Sequence, residues 1–152
     1  MNINPIYLMI IISILAGLLS TMNIWADKIE HVRWHLNDIY MALLMTGWMM
    51  IFSYFLLRNH MGNSKTVLII SVVSVVIILY FIRRQVLIND VQFLNGMIPH
   101  HSMAVLMSKR IKEKSRDPRV LQLADQIIQS QSKEITLMTN ILNETNSNYY
   151  IF

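Results

Sequence analysis

The sequence predicts an all-α membrane protein, with three transmembrane helices followed by an antiparallel helical hairpin. Hydrophobic residues make up 54% of the 152 positions and charged residues only 14%, a balance outside the range of ordinary soluble domains. Three apolar runs long enough to cross a bilayer fall within the first 84 residues. Two amphipathic segments of similar length fill the remainder, separated by the helix-breaking run Ser115, Arg116, Asp117, Pro118. We therefore divide the chain into a membrane region, residues 1–84, and a hairpin domain, residues 85–152, in which a metal site is sought.

The first span is expected at about 5–25, interrupted only by small or weakly polar residues. At 1.5 Å per residue it matches the ~30 Å hydrocarbon core. No Lys or Arg precedes it and it is longer than a signal-peptide core, so an uncleaved helix is expected. Residues 26–37 carry Asp27, Lys28, Glu30, His31, Arg33, Trp34 and His35, and read as an interfacial loop. The second span, about 38–57, sets Met41, Met45 and Met49 four residues apart on one face. Such a ladder could pass a soft cation, but methionine also fills gaps between membrane helices, and packing is the preferred reading. Residues 58–65 read as a short turn, with Gly62 and Asn63 as its breaker pair. The third span, about 66–82, is rich in Val and Ile and ends at Arg83 and Arg84, which can reach the headgroups. Helix is required there because a lipid-facing strand would leave its backbone groups unpaired. That helix is expected to run on through Gln85–Asn89 into the next segment.

In the hairpin domain, Phe93, Met97, His100, Ala104, Met107 and Ile111 recur at alternating steps of four and three, the spacing of a stripe facing a partner helix. His101 falls on the flanking stripe. Pro99 frees the carbonyl of Asn95 and should kink or restart the helix. Lys109, Arg110, Lys112 and Lys114 suit the negative end of the helix they close, and Asp117 with Pro118 suits the start of the next. The second helix carries Leu121, Ala124, Ile128, Gln131, Ile135, Met138 and Leu142 as its own stripe, then a polar tail at 143–148 and an aromatic end at 149–152. Folding about Arg116 brings His100 level with Ser132, between Gln131 and Glu134.

The absence of cysteine excludes disulfides, thiolate metal sites and cysteine nucleophiles. A net charge of +4 without a basic patch interleaved with aromatics gives no nucleic-acid signature. No serine–histidine–acid set or phosphate-cradling glycine loop is visible, so no enzymatic activity is expected. The 12 methionines and the His100, His101 pair leave one chemistry prominent. A polar ring on an apolar seam needs a carboxylate, an amide, a carbonyl or a metal. Thioether with imidazole suits Cu(I) or Ag(I), whereas zinc and hard cations prefer other donors. Met97 stands three and four residues before His100 and His101, and Glu134 or Gln131 could orient a ring nitrogen. The competing reading is a His100 bonded to Glu134 or Gln131 amid ordinary methionine core. A di-iron carboxylate bundle would need more glutamates than Glu134 alone.

The segments DVQFLNGMIPHHSMAVLM and LADQIIQSQSKEITLM resemble the domain of unknown function 305 family. The matching positions are Asp90, Phe93, Met97, His100, His101, Ala104 and Met107 on one helix, and Gln131, Glu134, Ile135 and Met138 on the other. The resemblance covers about a third of the chain and leaves the membrane spans aside. It implies a ferritin-like half-bundle that binds copper or silver outside the cytoplasm through methionine and histidine. On that basis the metal ligands are sought among Met97, His100, His101, Met107, Glu134 and Met138. The expectation is a membrane-anchored protein of copper or silver handling or tolerance, with Cu(I) or Ag(I) and membrane lipid as partners. A hairpin this small should dimerise into a four-helix bundle or dock on the loop at 26–37. The alternative is a structural or protein-interaction module anchored in the membrane. Positive charges at Lys28, Arg33, Arg83 and Arg84, against Arg58 and Lys65, place the domain in the cytoplasm. The resemblance and the lack of cysteine favour the outside, which is the orientation we expect.

Overall fold

The computed structural model describes residues 4–56 and 64–149, with side chains to residue 145. The expected turn at Gly62 and Asn63, the last residue of the second expected span, and residues 150–152 of the aromatic end lie outside them. The described residues form five α-helices and two 3-10 turns, with no strand among them. Contacts divide the chain into two compact units.

The first unit comprises residues 1–21 and 36–87. Helix α1, Pro5–Leu19, starts where the Asn4 side chain accepts from the Ile6 N–H at 3.0 Å and Pro5 occupies the first turn. Helix α2 is Leu36–Leu56, and helix α3 is Lys65–Arg84 with the Ser64 hydroxyl capping its start. Three segments, Pro5–Trp25, Leu36–Leu56 and Lys65–Arg84, are long and apolar enough to cross a membrane. Leu, Ile, Val and Phe side chains on their outer faces are widely exposed, as lipid-facing surfaces must be.

Small and hydroxylated residues line the contacts between these helices: Ser13 and Gly17 on α1, Ala42, Thr46, Gly47 and Ser53 on α2, Ser71 on α3. Lipid is as apolar as Leu, so helices gain by close approach, and small side chains permit it. The hydroxyls of Thr46, Ser53 and Ser71 donate to carbonyls one turn back, at Ala42, Met49 and Val67, which satisfies them within their own helix. Met41, Met45 and Met49 line an apolar groove of about 610 Å³ with Gly17, Trp48 and Phe52.

The third helix does not continue into the next segment. Gln85 and Leu87 take positive φ values of 48° and 60°, and the Val86 N–H turns back to the Phe81 carbonyl at 3.0 Å. This closes the last turn as a left-handed cap. The left-handed conformation costs a non-glycine residue about 1–2 kcal/mol. It is offset here by the Tyr40 hydroxyl donating to Val86 O at 2.6 Å and by paired Asn37 and Gln85 side-chain amides.

The second unit comprises residues 22–35 and 88–152. The division at Arg84 and Gln85 follows chain order; the packing instead takes the first loop out of the membrane region and joins it to the hairpin. Helix α4, Asp90–Lys112, is capped by Asn89, whose side chain accepts from the Gln92 N–H at 2.9 Å. It passes through Pro99 without ending. Helix α5, Pro118–Tyr149, begins with Asp117 accepting from the Arg119 N–H at 2.9 Å. The sequence places a polar tail from residue 143; α5 in fact runs through it. The helices are antiparallel, since His101 meets Glu134 near one level while Lys112 pairs with Asp125 closer to the turn.

Leu94, Ile98 and Val105 of α4 form the core with Ile135, Met138 and Leu142 of α5, flanked by Val91 and Met97. The α5 stripe therefore lies where its periodicity places it. The α4 stripe is displaced by one residue: Phe93 is 51% exposed and Met107 55%, while Leu94, Ile98 and Val105 are buried. Both series step by four and three, so periodicity alone fits either. On α4 branched aliphatic side chains fill the seam, and Phe93 and Met107 turn outward.

Candidate functional site

Residues 22–35 form a strap across α4. Its ends are tied by the Asn23 side chain, whose amide nitrogen donates to Arg33 O and whose oxygen accepts from the Arg33 N–H, both at 2.9 Å. Between them, 3-10 turns at Met22–Trp25 and Ile29–His31 shape the strap. Three polar contacts pin it down. The Asp27 N–H donates to Ser102 Oγ at 2.8 Å, His31 Nδ1 lies 2.8 Å from the same hydroxyl, and Lys109 Nζ donates to Asp27 Oδ2 at 2.5 Å. Beyond them, Gly96 leaves room for the buried ring of His35, whose Nδ1 would lie only 3.4 Å from an added Cβ.

Ser102 is fully buried, and its hydroxyl meets Asp27 and His31 of the strap. Replacing it by Ala leaves the part-buried Asp27 N–H and His31 nitrogen without that partner, at a cost near the lower end of the roughly 1–3 kcal/mol of a fully buried group so stranded. We expect Ser102→Ala to raise hydrogen exchange at the Asp27 amide by at least about tenfold while α1 to α3 stay protected. Unchanged exchange at Asp27 would show that the strap is held by other contacts.

Burial pushes His31 below the usual histidine value of 6.5, outweighing the acidic side chains of Glu30 and Asp27; Lys28 and Arg33 push the same way as burial. Burial likewise lowers His101, against the pull of Glu134, whose Oε2 lies 2.9 Å from His101 Nδ1 but off its hydrogen-bonding direction. Both rings are therefore neutral at pH 7 and keep a nitrogen lone pair. The unfolded chain takes up these protons near pH 6.5, before the folded chain does. Their contribution to stability is complete above that pH and is lost as pH falls through the depressed values. The urea midpoint of the second unit should drop between pH 7 and pH 5.5, and the drop should shrink in a His31→Gln, His101→Gln double variant.

The structure separates the residues singled out as metal ligands. His101 and Glu134 come together at the side of the seam. Met138 is core and Met97 packs against it. Met107 lies apart, beside a surface groove with Arg110 and Lys114. His100 leaves the seam; its exposed ring turns to the strap, where Nδ1 is 3.3 Å from Met22 Sδ. The rings of His100 and His101 are 6.1 Å apart and tilted. Among the described residues no three His, Asp or Glu side chains converge as a metal-binding group. Met22 was not singled out from the sequence, because 78 positions separate it from His100 and no periodic pattern links them. The charge-dense loop was visible, but not that Ser102 receives it.

Residues 89–149 match the model of the family described as Domain of unknown function (DUF305). The chain is also similar to "Uncharacterized protein L153" of Acanthamoeba polyphaga mimivirus, 56% identical over 144 residues that cover 95% of each chain. That similarity extends well beyond the hairpin into the membrane region. No solved structure matches. The strap-and-hairpin unit, anchored by three apolar helices, thus belongs to a chain that is a member of the DUF305 family.

Proposed function

We propose that this is a membrane-anchored soft-metal-binding protein that takes up Cu(I) or Ag(I) at His100 and Met22, in copper or silver handling or tolerance. The observation that carries this reading is the approach of an imidazole nitrogen and a thioether sulfur to 3.3 Å on an exposed surface. In the metal-free chain this is a hydrogen-bond contact, and an ion would replace the ring proton; with zinc distances of about 2.0 Å to nitrogen and about 2.3 Å to sulfur as a guide, an ion touching both atoms would be bent and would have room for a further donor. Zinc requires about four donors and calcium six or more, whereas a soft monovalent ion accepts thioether and imidazole. Met97 and Met138 do not fit as ligands while they fill the core. His101, held against Glu134, serves as the neighbouring imidazole.

Titrating the full chain with Cu(I) or Ag(I) against a chromophoric chelator tests the assignment. Loss of either donor, His100→Ala or Met22→Leu, should weaken binding by at least about tenfold, while Met138→Leu should not. Equal affinity in all four proteins would refute the site.

A second reading is favoured by the seam itself, in which the methionines are core and His101 already has a carboxylate neighbour. On it, the unit is a structural or interaction module whose partner is a second copy or another membrane protein. It would be supported by absent metal binding together with concentration-dependent crosslinking. We place the hairpin outside the cytoplasm; labelling of Ser147→Cys by an impermeant thiol reagent in intact cells is the expected result, and protection there would reverse the orientation.

A further inference from the structure

A trough of about 300 Å³ lies between the strap and the two helices of the hairpin. Its polar lining is Asp27, Lys28 and His31 from the strap, Lys109 from α4, and Ser132 and Thr136 from α5. Val105 and Ile135 form the apolar part of the wall. We infer that this trough is a binding site for a small oxyanion, a carboxylate or phosphate group carried on a compact molecule.

The charges decide the sign of the ligand. Two ammonium groups and one carboxylate line the trough, and that carboxylate, Asp27, is already engaged by Lys109 at 2.5 Å. Among the described residues Lys28 pairs with Glu30, at 3.4 Å, with both side chains more than half exposed. A pair so exposed to water is worth little, so Lys28 can turn to a ligand at small cost. The Ser132 hydroxyl adds a donor on the opposite wall, and hydrogen bonds from charged donors to an oxyanion are among the stronger ones. A cation would meet the reverse situation, since its one carboxylate already holds a lysine.

The walls are fixed before any ligand arrives. Asp27 is held through its own N–H by Ser102 and through its carboxylate by Lys109, and His31 is held by the same serine. A strap held in this way loses little freedom on binding, which favours affinity from few contacts. The volume is at the small end of ligand pockets, which run from about 300 to 1,000 Å³, and so selects a compact molecule. The apolar patch at Val105 and Ile135 gives the carrier of the anionic group a surface to rest on. None of these residues is a proposed metal ligand, so this inference stands apart from the soft-metal reading.

The experiment is a methyl-resolved NMR titration of the metal-free full chain in nanodiscs of zwitterionic lipid, with Ile and Thr methyls labelled. Inorganic phosphate and succinate are the probes, added at constant ionic strength. Saturable shifts of the Ile135 and Thr136 methyls are expected, with affinity at least about tenfold weaker in Lys28→Gln. Ser132→Asp, which adds a negative charge at the rim without touching the Asp27 and Lys109 pair, should abolish the response. Linear shifts without saturation, or saturation undiminished in both variants, would overturn the proposal. A further arm replaces free phosphate by nanodiscs containing phosphatidylglycerol. Shifts of the same two methyls there identify a lipid headgroup as a source of the anion, and their restriction to the soluble probes identifies a free solute. Repeating the titration in Met22→Leu keeps the result distinct from the metal site, because that variant should bind phosphate as the parent does.

Discussion

Ile98→Ala is expected to destabilise the second unit by about 2–5 kcal/mol, a large share of what so small a core can supply. Ile98 is fully buried at the centre of the cluster formed by Leu94, Val105, Ile135, Met138 and Leu142. Truncation removes apolar contact and leaves a cavity, and neighbours on two antiparallel helices can close it only partly. Hydrogen exchange of α4 amides in the full chain should accelerate roughly 30-fold or more. Phe93→Ala is the control: its side chain is half exposed, and its loss should leave exchange nearly unchanged. A larger effect at Phe93 than at Ile98 would mean that the stripe read from periodicity, and not the observed one, faces α5.

The second large effect belongs to the membrane unit. A methyl added at Gly17 would lie 2.6 Å from Ala42 Cα and 2.8 Å from its Cβ, so α1 and α2 must move apart to admit it. One added at Gly47 would lie 2.5 Å from Cγ2 of Val75, a side-chain methyl that yields by leaving its preferred rotamer while the backbones stay in place. An off-rotamer side chain costs about 0.5–1.5 kcal/mol, whereas overpacking against backbone runs to about 3 kcal/mol or more. Gly17→Ala should therefore lower the SDS midpoint for loss of helix packing clearly more than Gly47→Ala. The reverse order would show that the contact between α1 and α2 is not the tighter one. Helices that associate in lipid through close approach have no hydrophobic drive to compensate such a loss.

Much of the fold was legible because its signals are local. Apolar length marked the three spans, and they lie within two residues or so of their expected limits except where α1 gives way to the 3-10 turn at Met22–Trp25. Asp117 followed by Pro118 announced the start of α5, and the stripe ending at Met138 and Leu142 announced its buried face. The break after α3 was less visible. It rests on left-handed backbone at Gln85 and Leu87, residues without the freedom of glycine, and on a hydroxyl arriving from Tyr40.

The candidate site was legible only in part, and the reason is geometric. His100 and His101 are adjacent in sequence and therefore about 100° apart around a helix, so one rotational step decides which of them meets α5. The competing series Phe93, Met97, His100 and Leu94, Ile98, His101 share the same spacing, and nothing local ranks them. In the fold the strap covers the Ser102 side of α4, with His101 toward Glu134 and His100 toward Met22.

Composition, apolar length and helix-end chemistry are properties of neighbouring residues, and they suffice to predict an all-α membrane chain with an antiparallel hairpin after its three spans. Which face of α4 is core, which histidine is exposed, and the union of residues 22–35 with the hairpin were decided only by tertiary structure. The physical reason is that a hydroxyl at position 102 and a thioether at position 22 acquire their partners from segments more than 70 residues away, and the sequence holds no period that couples such distant groups.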